Sequence, residues 1–196
     1  MKKLDQNAII NIFKETGALL EGHFLLTSGL HSTKYFQCAK VYQYPWHSMA
    51  LCASLIEKIQ FTGFDVVVSP AVGGIVVGQE IARQLQVRSI FTERSGGAMT
   101  LRRGFELSKG ENVLVVEDVT TTGGSVKEVI EIVKQYGANL KAVAAVVDRS
   151  GGTIDFGVPY FSLAALEVTN YQPDECPMCK QGSSPIKPGS RNIDKG

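Results

Sequence analysis

The sequence has almost no charge imbalance, no long apolar stretch and few cysteines, and each shortage excludes a class of protein. Of 196 residues, 20 are Lys or Arg and 19 are Asp or Glu, giving a net charge of +1. The positive excess that draws a protein to nucleic acid or anionic lipid is therefore missing, and any anion site must be local. No run approaches the roughly 18 apolar residues of a membrane span. The start, Met1-Lys2-Lys3-Leu4-Asp5-Gln6-Asn7, has no apolar run behind its two lysines, so a soluble, cytoplasmic protein is expected. Cys38 and Cys52 stand singly among apolar neighbours and read as buried, reduced thiols. Cys176-Pro177-Met178-Cys179 supplies only half of a four-ligand zinc site. With His23, His31 and His47 far upstream, no side-chain metal site is expected. Nor is redox chemistry, because the pair follows a Pro173-Asp174-Glu175 turn rather than an early strand. Common phosphate and hydrolase motifs are missing too. Gly73-Gly74-Ile75-Val76-Val77-Gly78 runs into Gln79-Glu80 instead of Lys-Ser/Thr, no GxGxxG follows a strand, and neither GxSxG nor HExxH occurs.

What is present is enough apolar material, 44% of residues, for one core without disulfide or metal support. Ile9, Ile12 and Phe13 predict a helix over residues 4–15 that Gly17 ends. From Gly22 to Gln43 the chain turns aromatic and polar, with a Ser28-Gly29 turn and a strand at Tyr35-Phe36, a composition suited to a small flap. Pro45 opens a helix whose Trp46, Met49, Ala53, Ile56 and Ile59 form one apolar stripe. Alternation follows: strands at 65–69, 87–91, 113–117, 142–147 and 161–166, helices at 75–85 and 125–136. Continuous runs such as Val66-Val67-Val68 and Val143-Ala144-Ala145-Val146-Val147 are how strands covered on both faces read. The chain is thus an α/β protein with a parallel sheet between helices. The glycine-bearing link from Phe91 to Val113 predicts a mobile loop or two-stranded flap, and a disordered tail is expected from Ser183 onward.

One segment carries chemistry. Val113-Leu114-Val115-Val116 runs into Glu117-Asp118, then Val119-Thr120-Thr121-Thr122-Gly123-Gly124-Ser125, then an amphipathic helix. Ligands of open parallel sheets bind at the carboxyl ends of strands. Two adjacent carboxylates repel phosphate but accept hydrogen bonds from the two neighbouring hydroxyls of a ribose. Hydroxyls, glycines and a helix N-terminus form a phosphate cradle. Ser125-Val126-Lys127-Glu128 also fits a capping box, which would act on the same helix.

Glu117 through Ser125 resembles the phosphoribosyl diphosphate signature of the type I phosphoribosyltransferases. From Gly17 to about Gly182 the chain is similar to their orotate branch. That resemblance implies a twisted parallel sheet flanked by helices, with a hood over about residues 17–43 and a long flexible loop, all in one domain covering 1–182. It places the base under Gly22-His23-Phe24-Leu25-Leu26-Thr27-Ser28-Gly29 and the diphosphate at Ala71-Val72-Gly73-Gly74. It makes the segment bearing Arg94, Arg102 and Arg103 a catalytic lid closing on the departing diphosphate, and it assigns orotate to Thr121 and Arg149. It further implies Mg²⁺ held mainly by substrate oxygens rather than by side chains, the substrates orotate and 5-phosphoribosyl 1-diphosphate, and a homodimer sharing the lid. No nucleic-acid or membrane partner is expected. The chain departs from many members in having Thr27 and Gly73 where they place lysines. A purine phosphoribosyltransferase, or a phosphoribosyl-diphosphate-sensing RNA-binding regulator, are the alternatives.

Overall fold

Asp5 starts the first helix, α1 (Gln6–Glu15), by accepting a hydrogen bond from Ala8 N at 2.7 Å. Thr16 and the left-handed Gly17 end it. The computed structural model describes residues 4–26, 28–165 and 169–188. After α1 come β1 (Leu19–Leu25) and β2 (His31–Phe36), an antiparallel pair, then the short α2 (Ala39–Tyr42) and α3 (Pro45–Lys58). The alternating part follows as β3 (Val66–Pro70), α4 (Gly73–Leu85), β4 (Arg88–Ser95), β5 (Ala98–Leu101), β6 (Asn112–Thr120), α5 (Gly124–Gln135), β7 (Asn139–Asp148) and β8 (Tyr160–Ala165). The chain continues through β9 (Asn170–Tyr171) and α6 (Pro177–Lys180).

The main sheet has the order β5-β4-β3-β6-β7-β8, parallel throughout except for β5. Val66, Val67, Val68 and the Val113–Val116 run are fully buried because helices cover both faces. Each such side chain contributes about 1.5–3 kcal/mol by leaving water. From β3 the chain crosses through α4 to β4 on one side, while β6 lies on the other. Strand order therefore reverses between β3 and β6, and their carboxyl ends open a crevice there. The link after Phe91 is a two-stranded flap: β4 extends to Ser95, turns through the left-handed Gly96 and Gly97, and returns as β5.

Four expectations are corrected. The stripe assigned to α3 is only partly right: Ile59 is buried and Ile56 packs against the core, but Trp46 is 59% and Met49 37% exposed, while Ser48, Leu51, Cys52 and Leu55 are buried. A helix apolar on more than one side does not declare its inner face by periodicity, and the small Cys52 lies against α4, its Sγ 3.9 Å from Val77 O. The hood has a third strand, β9, antiparallel to β2 with His31 opposite Tyr171. The first part of the expected tail is paired with the hood at Ile186: Leu25 N donates to Ile186 O and Ile186 N to His23 O, both at 2.8 Å. Residues 189–196, Thr27 and Leu166 lie outside the described residues. Finally, separation in sequence is not separation in space, because the hood brings His23 and His31 beside Cys176 and Cys179.

Candidate active site

The end of β6 and the start of α4 face each other across the crevice. Glu117 is buried and Asp118 partly buried. Burial pushes the Glu117 carboxyl up to about 9, and the neighbouring Asp118 adds to the rise. Burial raises Asp118 as well. Two adjacent carboxyls out of water do not both ionise at neutral pH, so the pair retains a proton. The backbone donates to both: Asp118 N to Glu117 Oε1 at 3.1 Å and Val119 N to Asp118 Oδ1 at 2.8 Å. Such a pair offers acceptors plus one donor to vicinal hydroxyls.

Opposite stand Ala71, Val72, Gly73 and Gly74, in the turn from β3 into α4, with a cis peptide between Ala71 and Val72. A Cβ at Gly73 would lie 2.6 Å from Asp118 Oδ2, and one at Gly74 would lie 3.2 Å from Glu117 Oε1. The glycines thus serve both packing and access, since they let the helix N-terminus approach the acids. No side chain caps α4.

The loop after the acids forms a pocket of about 70 Å³ lined by Glu117 and by Val119 through Val126. Gly123 is the N-cap of α5 in a left-handed conformation (φ 73°) and provides no side-chain cap. The expected capping box at Ser125 is therefore not formed, because a left-handed glycine starts the helix two residues earlier. The first amide bonded into the helix is Lys127 N, to Gly123 O. The preceding amides of Gly124, Ser125 and Val126 point their positive partial charge at the pocket, an anion site by construction. Thr121, Thr122 and Gly124 are exposed and Ser125 half-buried.

Thr120 differs. It is buried, and its hydroxyl is shared with Tyr160 Oη and lies 3.3 Å from Asp148 Oδ1. Its side chain ties β6 to β7 and β8, although the residue also lines the pocket.

A larger cleft of about 640 Å³ adjoins the pocket, sharing Val119, Thr121 and Thr122 with it. Leu26, Ser28, Leu30, Tyr35 and Phe36 of the hood, Arg149 and Asn170 complete the lining. Arg149 follows β7, and its N–H donates to Thr120 O at 2.9 Å. Its guanidinium lies 6.0 Å from the Phe36 ring centroid, and its buried Nε has no hydrogen-bond partner. Burial lowers its pKa. A desolvated guanidinium with an idle donor is a receptor for a planar carboxylate. Asp148, the acid next to it, is engaged by Thr120 and by Ser150 N at 2.8 Å.

The three flap arginines are not in this cleft. Arg94 binds Glu128 Oε1 at 2.6 Å and Gly97 O at 2.8 Å, while Arg102 and Arg103 pair with Glu93 at 3.4 and 2.9 Å. Asn170 had no sequence signal, because β9 is two residues long and reaches the cleft only by pairing with β2.

Residues 46–162 match the phosphoribosyl transferase domain family. The chain is similar to orotate phosphoribosyltransferase of Caldicellulosiruptor saccharolyticus, 55% identical over 190 residues, covering 97% of this chain and 100% of that one. With that of Thermotoga maritima the identity is 50% over 185 residues, 94% and 99% of the two chains. Among solved structures, orotate phosphoribosyltransferase from Aeropyrum pernix superposes with a TM-score of 0.69 at 25% identity, covering 81% of this chain and 93% of that one. Adenine phosphoribosyltransferase from Thermoanaerobacter pseudethanolicus shares the fold, with a TM-score of 0.58 at 19% identity over 68% of this chain and 88% of that one. The chain belongs to the phosphoribosyl transferase family and, within it, to the orotate phosphoribosyltransferases.

Proposed function

We propose that the protein joins N1 of orotate to the anomeric carbon of 5-phosphoribosyl 1-diphosphate, forming the C–N bond as the C–O bond to diphosphate breaks, to give orotidine 5′-phosphate for pyrimidine synthesis. The observation that carries this reading is the wall the two cavities share, Val119, Thr121 and Thr122. Uncapped amides of Gly124, Ser125 and Val126 in one are linked by Thr121 and Thr122 to the Arg149 guanidinium, with its idle Nε, in the other.

Each group has a task in that frame. The α5 amides and the Thr121, Thr122 and Ser125 hydroxyls hold the 5′-phosphate. Glu117 and Asp118 hold the ribose through its hydroxyls, and neither acts as a nucleophile. The amides opening α4, at Gly73 and Gly74, face the diphosphate. Arg149 takes the orotate carboxylate, and Tyr35 and Phe36 cover the ring. Fixing both reactants converts a bimolecular displacement into an in-cleft one, where positioning lowers the barrier. Charge is the remaining difficulty, as the ribose carbon becomes cationic while diphosphate departs.

Mg²⁺ suits this site. The acids are hard oxygen donors, the ligand type Mg²⁺ takes, and substrate oxygens and water would complete its shell. When bound, it neutralises diphosphate charge. Arg94, Arg102 and Arg103 are exposed and outside the cleft of their own chain, which supports a homodimer in which each flap closes over its neighbour's site. A cytoplasmic location belongs to the same reading, and no helix among the described residues is long and apolar enough to cross a membrane.

The deciding experiment is orotate consumption with phosphoribosyl diphosphate, with and without Mg²⁺. Turnover with adenine or hypoxanthine but not orotate would replace this reading by the purine one, and salt-dependent RNA binding without turnover would replace it by the regulator.

A further inference from the structure

Four side chains from three parts of the chain converge beneath the hood, away from the phosphate pocket. His23 comes from β1, His31 from β2, and Cys176 and Cys179 from the N-cap and body of α6. Each offers one ligand atom, and all four atoms lie within 4.8 Å of one another. His23 Nε2 is 3.0 Å from His31 Nδ1, 3.5 Å from Cys176 Sγ and 3.8 Å from Cys179 Sγ. Cys179 Sγ is 3.3 Å from His31 Nδ1. Zinc–nitrogen and zinc–sulfur bonds of about 2.05 and 2.3 Å at tetrahedral angles require edges of about 3.3 Å between nitrogens and about 3.6 Å between nitrogen and sulfur. The four distances above scatter around those lengths, and the remaining two are within 4.8 Å. Both cysteines are free thiols, and three of the four residues are buried.

Apolar packing does not account for this group. Two imidazoles and two thiols in mutual contact out of water satisfy one another poorly, since thiols are weak donors and weak acceptors. A cation in their midst satisfies all four. The far nitrogen of His23, Nδ1, lies 3.1 Å from Ser183 Oγ, the outer hydrogen bond that fixes the orientation of a metal-bound imidazole.

The geometry points to a structural Zn²⁺ site formed by His23 Nε2, His31 Nδ1, Cys176 Sγ and Cys179 Sγ. Four protein ligands leave no open position, so the ion is structural and not a catalyst, and the soft thiolates select zinc over the Mg²⁺ of the reaction. Its place in the fold defines its work. The ligands join the two strands of the hood hairpin to the C-terminal segment, whose β9 carries Asn170 into the base cleft and whose Ile186 pairs with β1. Zinc clamps the roof of the base cleft to the segment that closes its side.

Elemental analysis of the full-length protein, purified without chelator and gel-filtered, is expected to give about one zinc per chain. Cys176→Ser and Cys179→Ser are each expected to lose it, while His47→Ala keeps it. Reconstitution of chelator-stripped wild type with Co²⁺ is expected to give the visible bands of a tetrahedral ion together with thiolate-to-cobalt charge transfer. That spectrum needs no variant to fold and no substrate to bind, so it is read independently of orotate turnover. Failure of stripped protein to retain one equivalent of zinc, an octahedral cobalt spectrum without charge transfer, or full zinc retention in the Cys176→Ser/Cys179→Ser double variant would each overturn the site.

Discussion

Gly73 and Asp118 stand so close that a Cβ on the glycine would lie 2.6 Å from one carboxylate oxygen and 2.7 Å from the other. The contact joins the two halves of the crevice, the turn after β3 and the acid pair ending β6. Gly73→Ala therefore has to push the Asp118 carboxylate off its position, the one proposed to hold the ribose. Losing one hydrogen bond to a charged group costs about 1.5–3 kcal/mol, so KM for phosphoribosyl diphosphate is expected to rise about tenfold or more. The carboxylate is the far end of a side chain and can swing, so the melting temperature should change little. Unchanged kinetics would remove Asp118 from the sugar site.

Arg149 is the test of base choice. Its buried Nε has no hydrogen-bond partner within the protein, and a carboxylate would supply one. Arg149→Ala is expected to raise KM for orotate about 10- to 100-fold, the equivalent of one charge-assisted bond, with KM for phosphoribosyl diphosphate nearly unchanged. Arg149→Lys should not restore it, because an ammonium lacks the planar fork. Equal effects on both substrates would dissociate Arg149 from orotate.

The acid pair makes stability depend on pH. Burial and Asp118 raise the folded Glu117 pKa to about 9 from an ordinary value of 4.5. Between those pH values the folded protein holds a proton that the unfolded chain has released. Stability contributed by this group is therefore complete at low pH and declines as pH rises through that window. Glu117→Gln carries no titrating proton, so its melting temperature relative to wild type is expected to increase from pH 5 to pH 8.5, while turnover falls. Parallel melting curves for the two proteins across that range would contradict the shift.

Adjacent threonines are expected to separate cleanly. Thr120→Val leaves the Tyr160 hydroxyl and Asp148 short of a partner in a buried setting, costing about 1–3 kcal/mol of stability. Thr121→Val, at an exposed position, should stay within about 0.5 kcal/mol in denaturant titration yet weaken substrate binding. The reverse pattern would mean that Thr120 is the phosphate ligand.

These threonines also show where sequence reading stops. Runs such as Val113–Val116 announce a doubly covered strand because no other element hides four consecutive apolar side chains so simply, and the acid–hydroxyl–glycine order after it announces the ligand. Whether Thr120 or Thr121 faces that ligand depends on strand register with β7 and β8, which is a tertiary fact. The same holds for α3, where more than one side is apolar and only its neighbours decide that Leu51 and Leu55 go inward and Trp46 outward. The His/Cys cluster was illegible for a third reason. Its halves are separated by some 150 residues of sheet and meet only because β9 pairs with β2 and Ile186 with β1.

The flap arginines decide whether two chains share one site. In this chain Arg102 and Arg103 are paired with Glu93 and do not line the cleft. The Arg102→Ala/Arg103→Ala variant should lose turnover with little change in substrate affinity, since the interaction proposed for these arginines is made as diphosphate departs. Mixing it with the Arg149→Ala variant tests whose cleft the flap serves. If the flap crosses, a mixed dimer holds one site with every lesion and one with none. Random reassortment of subunits then restores about a quarter of wild-type sites, half the dimers contributing one each. If the flap serves its own chain, every site keeps a lesion and the mixture is no more active than the average of its parents. Recovered activity toward orotate after co-refolding or co-expression is thus the expected result, and its absence would confine the flap to its own subunit.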